Sequence, residues 1–302
     1  MGWQCTGLRW PDDQSGPVLA WSRGRQTRGS VLAYGTELGF RAAGVRTCIG
    51  ARGNACPVAA PVPERSTGAR CAECGRLDRA HSVAADTIPD DPRTYRVYLA
   101  WFGAGMVKVG ITAEERGAAR LREQGAVVFS WLGRGPLMAA RRAEEVLRAA
   151  LGVPDRIPYA RKRAVRADLP GPAARAAEVA ELYGKAAALD GRGWPEALER
   201  LPFEAVDHAG IFGIEGPGGP GGPGRPDGPV RAVTGLVDGG AVAGRLVAAA
   251  GPDLQLDAGG DGVVVVDTRL MTGWTLAAAG EGAGVGVPTV VVGGGALQTG
   301  LF

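Results

Sequence analysis

Four cysteines, Cys48, Cys56, Cys71 and Cys74, follow the order C-x7-C, fourteen residues, C-x2-C. A C-x2-C pair brings two sulfurs together through a tight turn, and a second pair completes a tetrahedron around one ion. The stretch around them, residues 48–90, is rich in Gly, Pro and Arg and poor in apolar periodicity. A bound Zn²⁺ would supply the folding energy that such a stretch cannot draw from a core. Four thiolates close the coordination shell, so the ion would be structural. The first pair is wider than zinc modules usually carry. Other uses of these groups are a redox dithiol at Cys71 and Cys74, buried thiols without metal, and His81 in place of Cys48 or Cys56. Cys5 stands alone.

A second set of reactive groups lies between Tyr95 and Arg166. That block carries fourteen Lys/Arg against six Asp/Glu, while the whole chain comes to only +3. Positive charge gathered in one block fits a module that meets a polyanion; a solvated basic face is the plainer use of it. Arg outnumbers Lys by 31 to 3, so a Lys is informative where an Arg is not. Lys108 faces away from Val107 and Val109 on a strand, which suits a point-charge contact with phosphate. Tyr98 alternates in the same way with Val97 and Leu99, as a half-buried structural ring or a working phenol would. Arg116, Arg120 and Arg122 follow, and Arg161, Lys162 and Arg163 lie in the basic tract RIPYARKRAVR (156–166). Further, Leu137, Ala140, Glu144, Leu147 and Leu151 share one helical stripe. A carboxylate there is costly unless paired, protonated or metal-bound. Glu145, by contrast, has Arg141 and Arg148 at ordinary ion-pair spacings. Glu144 is the anomaly, with solvent or a sheet Arg as its plainer partner.

The elements that must position these groups are legible in outline. TYRVYLAWFG (94–103) and MVKVGIT (106–112) read as a strand hairpin. Residues 113–125 read as a helix with Thr112 as N-cap and Gly125 at its end. AVVFSWLG (126–133) is a third strand, and 136–152 is a helix between Pro136 and Gly152. The expected fold class is α+β, with a small antiparallel three-stranded sheet and flanking helices over 91–166. A zinc-ribbon-like module of four cysteines (48–90) precedes it, and β-rich segments flank it at 1–47 and 230–302. A helical segment (167–215) holds helices at 173–189 and 194–201, and a Gly/Pro linker covers 216–229. The C-terminal β-rich runs either form their own barrel or pair with the N-terminal strands.

The order VYLAWFGAGMVKVGIT, an Arg in the next helix, a strand and a Glu-bearing helix resembles the GIY-YIG nuclease superfamily. Val97-Tyr98-Leu99 stands at its first signature tripeptide and Lys108-Val109-Gly110 at its second, nine residues separating Tyr98 from Lys108. The Lys-Val-Gly form resembles the phage-associated branch. The resemblance implies tripeptides on adjacent strands and a phosphodiester hydrolysis with Tyr98, Lys108, Arg120 and Glu144 at its centre. Tyr98 would orient or deprotonate water, Arg120 would clamp the phosphate, and Glu144 would hold Mg²⁺ or Mn²⁺, for which an oxygen ligand is the right type. Arg116, Arg122, Arg161, Lys162 and Arg163 would add nucleic-acid contacts. Two departures stand out: the second-tripeptide Tyr is missing, and the central block has no His or Asn. Over nearly its full length the chain is also similar to an uncharacterised bacterial family, domain of unknown function 2797. The carrying residues are the cysteine cluster, VYLAWFG, VKVGIT, RLREQGA (120–126) and the terminal QTGLF (298–302).

These readings give a nucleic-acid-associated protein, with DNA or RNA and any protein partner left open. One form is a metal-dependent endonuclease with structural zinc; another is a non-catalytic nucleic-acid binder with the same zinc. A third reading is a ligand- or protein-interaction protein acting through the C-terminal β-rich segment. At 45% hydrophobic and 22% charged residues, the composition excludes a wholly disordered chain. No stretch is apolar enough for a membrane span and the N-terminus carries no secretory signal, so the cytoplasm is the expected location and no membrane the expected partner. The absence of a P-loop, a dinucleotide fingerprint, H-E-x-x-H and G-x-S-x-G sets aside several enzyme classes.

Overall fold

The structure is a computed structural model that describes residues 2–11, 16–80, 91–154, 156–189 and 194–293. His81 and the terminal QTGLF lie outside the described residues. The chain opens with strands β1 (Gln4–Arg9), β2 (Val18–Arg23), β3 (Gln26–Val31) and β4 (Glu37–Ala43), then helix α1 (Ala72–Arg79). Strands β5 (Thr94–Trp101) and β6 (Val107–Ala113) precede α2 (Ala119–Gln124), β7 (Val128–Pro136), α3 (Leu137–Leu151), α4 (Tyr159–Ala164) and α5 (Pro172–Ala187). Short β8 (Glu199–Arg200) and β9 (Val206–Asp207) follow. The rest holds β10 (Val230–Val233), β11 (Ala241–Ala250), β12 (Asp253–Asp257), β13 (Val263–Asp267), α6 (Thr268–Met271), β14 (Thr275–Ala278) and β15 (Thr289–Val291). The protein is α+β and mostly sheet, with two compact units. None of the described helices is long and apolar enough to cross a membrane.

The first unit holds the described residues of Met1–Pro11, Ser15–Ala85 and Gly213–Phe302. Its ten strands run in the order β15-β10-β13-β12-β11-β4-β14-β1-β2-β3. Strand β4 lies between β11 and β14, and β14 carries β1. The two β-rich ends of the sequence therefore share one sheet, which answers what periodicity alone left open. Strand β13 is buried at every residue, as its unbroken VVVVD run requires. The 216–229 segment is no extended linker: Gly218, Gly219 and Pro220 are buried. Its amides close on local carbonyls, with Gly221 N donating to Ile214 O at 2.9 Å and Gly218 N to Pro223 O at 2.9 Å. Residues this small let the backbone pack against itself while satisfying its own polar groups.

The second unit holds the described residues of Asp86–Phe212. Its sheet has five strands where three were expected: β6-β5-β7-β8 in order, with β9 also on β7. The two added strands are two residues each and occupy the edge of β7 away from β5, whose amides would otherwise stay open. Two local expectations need correction. Thr112 caps no helix; it lies inside β6, and a 3-10 turn at Glu114–Arg116 separates that strand from α2. Residues 194–201 form a turn and β8 instead of a helix, because Glu199–Arg200 pairs with β7 and the Trp194 indole donates to Leu198 O at 2.9 Å.

Tyr98 and Ala100 on one face of β5, and Phe102 just after it, join a core with Met106, Leu121, Ala126, Phe129 and Ile157. Nearby, His208 is buried between Phe129 and Phe212, ring centroids 5.1 and 5.5 Å away, with Nδ1 3.0 Å from Ala126 O. Burial pushes its pKa from 6.5 down to about 4. The unfolded chain therefore binds a proton below pH 6.5 that the folded chain refuses until about pH 4, so stability falls as pH drops through that window. The loss is at most about 3 kcal/mol. Urea titrations at pH 7 and pH 4.5 should show it, and His208→Gln should flatten this difference; an unchanged difference would remove His208 as its source.

Candidate functional site

Two groups of reactive side chains are built by the fold, one in each unit. In the first unit, Cys48 follows β4 in an irregular segment anchored by Thr47 N to Gly273 O at 2.9 Å and Cys48 N to Ala60 O at 2.8 Å. A tight reversal brings Ala51 opposite Asn54. Gly50 makes it possible: its φ is 81°, and a Cβ there would sit 1.8 Å from Asn54 O. Cys71 is the N-cap of α1 and Cys74 lies in its first turn, so the C-x2-C pair points from one helix start. The four Sγ atoms all lie within 4.8 Å of one another, compared with about 3.8 Å between sulfurs in an ideal Zn–S tetrahedron.

Backbone amides already face these sulfurs. Gly50 N and Cys71 N donate to Cys48 Sγ at 3.3 and 3.2 Å. The amides of Ala60 and Val58 pull the Cys56 thiol down to about 7. Burial, and then its neighbouring thiols, push Cys74 up to about 12. Thiols packed this closely cannot all ionise without a cation between them. The four cysteines could hold a metal ion such as zinc. None of the five cysteines is in a disulfide, and Cys5 is buried in β1, apart from the cluster.

In the second unit the groups gather around Tyr98. Its side chain is 2% exposed. Gln124 Nε2 at the end of α2 donates to its hydroxyl at 2.9 Å, and Trp131 meets its ring edge-on at 6.3 Å. Register places Tyr98 opposite Gly110 on β6 and Trp131 on β7, with a bulge between Val97 and Tyr98 that re-aims the strand there. Lys108 Nζ lies 5.9 Å from the ring centroid. Burial raises the Tyr98 pKa, the Gln124 bond and the Arg120 charge oppose that, Glu144 adds to it, and Arg116 opposes it again. Lys108 on β6 is thus the basic side chain set against the ring, while Arg116 of the 3-10 turn, Arg120 of α2 and Glu144 of α3 act on the phenol through their charge. Glu144 borders the apolar stripe of α3 and does not lie on it: the buried positions are Leu137, Ala140, Ala143 and Leu147. Glu144 is half-buried and Glu145 exposed.

A family model described as "Protein of unknown function (DUF2797)" matches residues 35–276. The chain belongs to that family. No curated protein and no solved structure matches it. The matched span takes in both the cysteine cluster and the Tyr98 group of this DUF2797 chain.

The basic residues divide sharply. Arg122 and Lys162 are only 2% and 4% exposed, so neither offers its charge to a polyanion, contrary to expectation. Lys162 Nζ donates to Gln124 O at 2.9 Å and lies 3.8 Å from the Phe102 ring centroid. Arg166 Nη2 likewise donates to Gly125 O at 2.9 Å. Cations of the 156–166 tract therefore cap the C-terminal end of α2, where carbonyls lack helical partners and the dipole is negative. That contact fixes Gln124, and through it Tyr98. Arg116 and Arg120 are exposed and both reach Glu123, at 2.7 and 3.5 Å. Arg161 is exposed and Arg163 half-buried. Gln124 is the residue that sequence reasoning passed over in the DUF2797 chain. Its signal was a polar side chain directly before the glycine that ends an otherwise well-packed helix.

Proposed function

We propose that the chain is a nucleic-acid-associated protein whose second unit is a GIY-YIG-like phosphate-gripping module and whose cysteine centre holds structural zinc. The observation that carries this reading is Lys108 set 5.9 Å from the ring of the buried Tyr98, with Arg116 and Arg120 exposed on the 3-10 turn and helix that follow the same strand. Exposed guanidiniums suit bidentate phosphate contacts, and a phosphate would compete there with Glu123, which both now reach. The same geometry speaks against Tyr98 as a general base. Its hydroxyl is buried, bonded to Gln124 and held protonated, whereas a base must reach its proton and titrate near neutrality. Tyr98 is then a pillar of the module.

A second reading, a divalent-metal-dependent endonuclease, draws on Glu144. Its charge acts on the Tyr98 phenol, and a single carboxylate with retained waters suits Mg²⁺. The ion would supply charge neutralisation at phosphate when bound; Arg120 would hold the phosphate, and Tyr98 would keep the strands in register.

Retention of labelled single- and double-stranded DNA and RNA, with and without Mg²⁺, separates these readings. The expected result is binding that weakens steeply with salt, because released counterions drive it, with no cut product and about tenfold loss in Arg120→Ala. Product that requires Mg²⁺ and vanishes in Glu144→Gln while binding persists would establish the endonuclease. No retention of any probe at low salt would overturn both.

A further inference from the structure

A separate basic surface lies on the first unit, at the β3 end of the ten-stranded sheet. Strand β3 is the outer strand there, and five of its six residues are exposed. The hairpin that joins it to β2 places Trp21 opposite Arg28 and Arg23 opposite Gln26. Alternation along β2 puts Trp21 and Arg23 on the same sheet face. Trp3 joins them: the Arg23 and Arg28 guanidinium carbons lie 4.7 and 4.3 Å from its ring centroid. Arg28 also lies 5.7 Å from the Trp21 ring. The Trp21 indole is fixed by donating to Ser30 Oγ at 3.0 Å. Arg25 is exposed at the hairpin tip.

Among the described residues of β1 to β3 and their connections, charge is all of one sign. Gly2–Pro11 and Gly16–Thr36 together contain Arg9, Arg23, Arg25 and Arg28 and no Asp or Glu. The acceptor that Arg23 does use is the neutral amide Oε1 of Gln26, at 3.0 Å. No carboxylate of the described residues forms an ion pair with Arg23, Arg25 or Arg28. A guanidinium stacked on indole loses little hydration, keeps its plane fixed and leaves its N–H edge outward. Charges on an edge strand also deter pairing with other strands, but that task needs neither the stacking nor three like charges around one hairpin. A row of oriented forks beside aromatic rings matches phosphates spaced along a strand whose bases are open to stacking.

We propose that Trp3, Arg23, Arg25 and Arg28 form a second nucleic-acid contact surface, one that takes the phosphates of a single strand. It extends the nucleic-acid reading above and rests on it for the class of polyanion, but it uses residues of the other unit. The probe is a twenty-nucleotide oligo-dT, followed by fluorescence anisotropy on the full chain over a range of salt. The Arg23→Gln, Arg25→Gln, Arg28→Gln triple variant should bind at least about tenfold more weakly, and its log K against log salt slope should flatten by about 2, since each phosphate contact on a single strand contributes about 0.7. Trp3→Leu, which keeps every charge, should weaken binding about threefold with its salt slope unchanged. A thermal melt matching the parent's guards against misfolding.

An Arg120→Gln variant keeps the two surfaces apart. If Arg120→Gln weakens binding and the triple variant does not, this surface is refuted and the nucleic-acid reading stands. If oligo-dT and a duplex of equal length both fail to bind the parent at the lowest salt, both fall. If the triple variant loses duplex and single strand equally, the preference for a single strand is refuted.

Discussion

The purified chain should carry one zinc ion, and stripping it with a chelator should lower the melting temperature by more than about 10 °C. The reason is local. The packed cluster around the centre consists of Cys48, Cys56, Val62 and Cys74, with Ala51, Ala60 and Cys71 against it. More than half of that core is sulfur ligand, so little apolar area remains once the ion is gone. The segment also cannot fall back on regular pairing, since its strand contacts are the isolated bridges Thr47 to Pro61 and Ala51 to Asn54. What ties it to the sheet is Arg46, whose guanidinium donates to Pro63 O, Ser66 O, Thr272 O and Arg269 O at 2.5–2.9 Å. Pro63 and Ser66 keep their places only while the cysteine loops do, so the loss should pass through Arg46 to its partners Arg269 and Thr272. Cys71→Ser with Cys74→Ser should reproduce the chelated state, whereas Cys5→Ser should retain the ion. Metal analysis finding well under one equivalent, with a melt indifferent to chelator, would discard the centre.

The cysteine spacing was readable because metal chemistry imposes it locally: Cys71 and Cys74 need one helix start and nothing more. The first pair was harder, since seven residues intervene, and only the Gly50 reversal and the Ala60 carbonyl bring Cys48 and Cys56 together. The β5–β6 hairpin and α3 were equally plain, one from alternation and the other from Pro136 and Gly152 at its ends. Pairing between distant strands was not. Nothing in ELGFRAA (37–43) says that its neighbours are β11 and β14, because half-buried strands of similar pattern compete on equal terms until the whole sheet assembles.

Charge was the most misleading signal. Lys162 reads as part of a solvated basic tract, yet its ammonium is buried beneath two aromatic rings and bonded to a helix-end carbonyl. Composition counts such a residue toward polyanion binding; only its tertiary partner shows that its charge is spent within the fold. Glu144 illustrates the reverse. A five-residue stripe put it in the core, but the turn of α3 gives that place to Ala143 and leaves Glu144 at the margin.

Replacing Gly110 by Ala should destabilise the second unit by about 3 kcal/mol, at the upper end of overpacking costs. The cross-strand register says what this glycine accommodates. Tyr98 is its direct cross-strand neighbour, and a Cβ on residue 110 would lie 2.3 Å from the Tyr98 hydroxyl oxygen and 2.5 Å from the ring carbon bearing it. The ring has nowhere to retreat: Gln124 holds its hydroxyl, Trp131 meets its edge, and Leu121 and Phe129 complete the packing. Either the phenol turns and breaks the Gln124 bond, or β6 shifts and carries Lys108 away from the ring. Urea unfolding measures the cost, and Tyr98→Leu offers the separation of causes. In that background the methyl finds room, so the Gly110→Ala penalty should shrink to below about 1 kcal/mol, a coupling of the size seen between residues in contact. A Gly110→Ala protein as stable as the parent would mean that Tyr98 does not lie over β6. The proposed phosphate site would then lose the pillar beside which Lys108 stands.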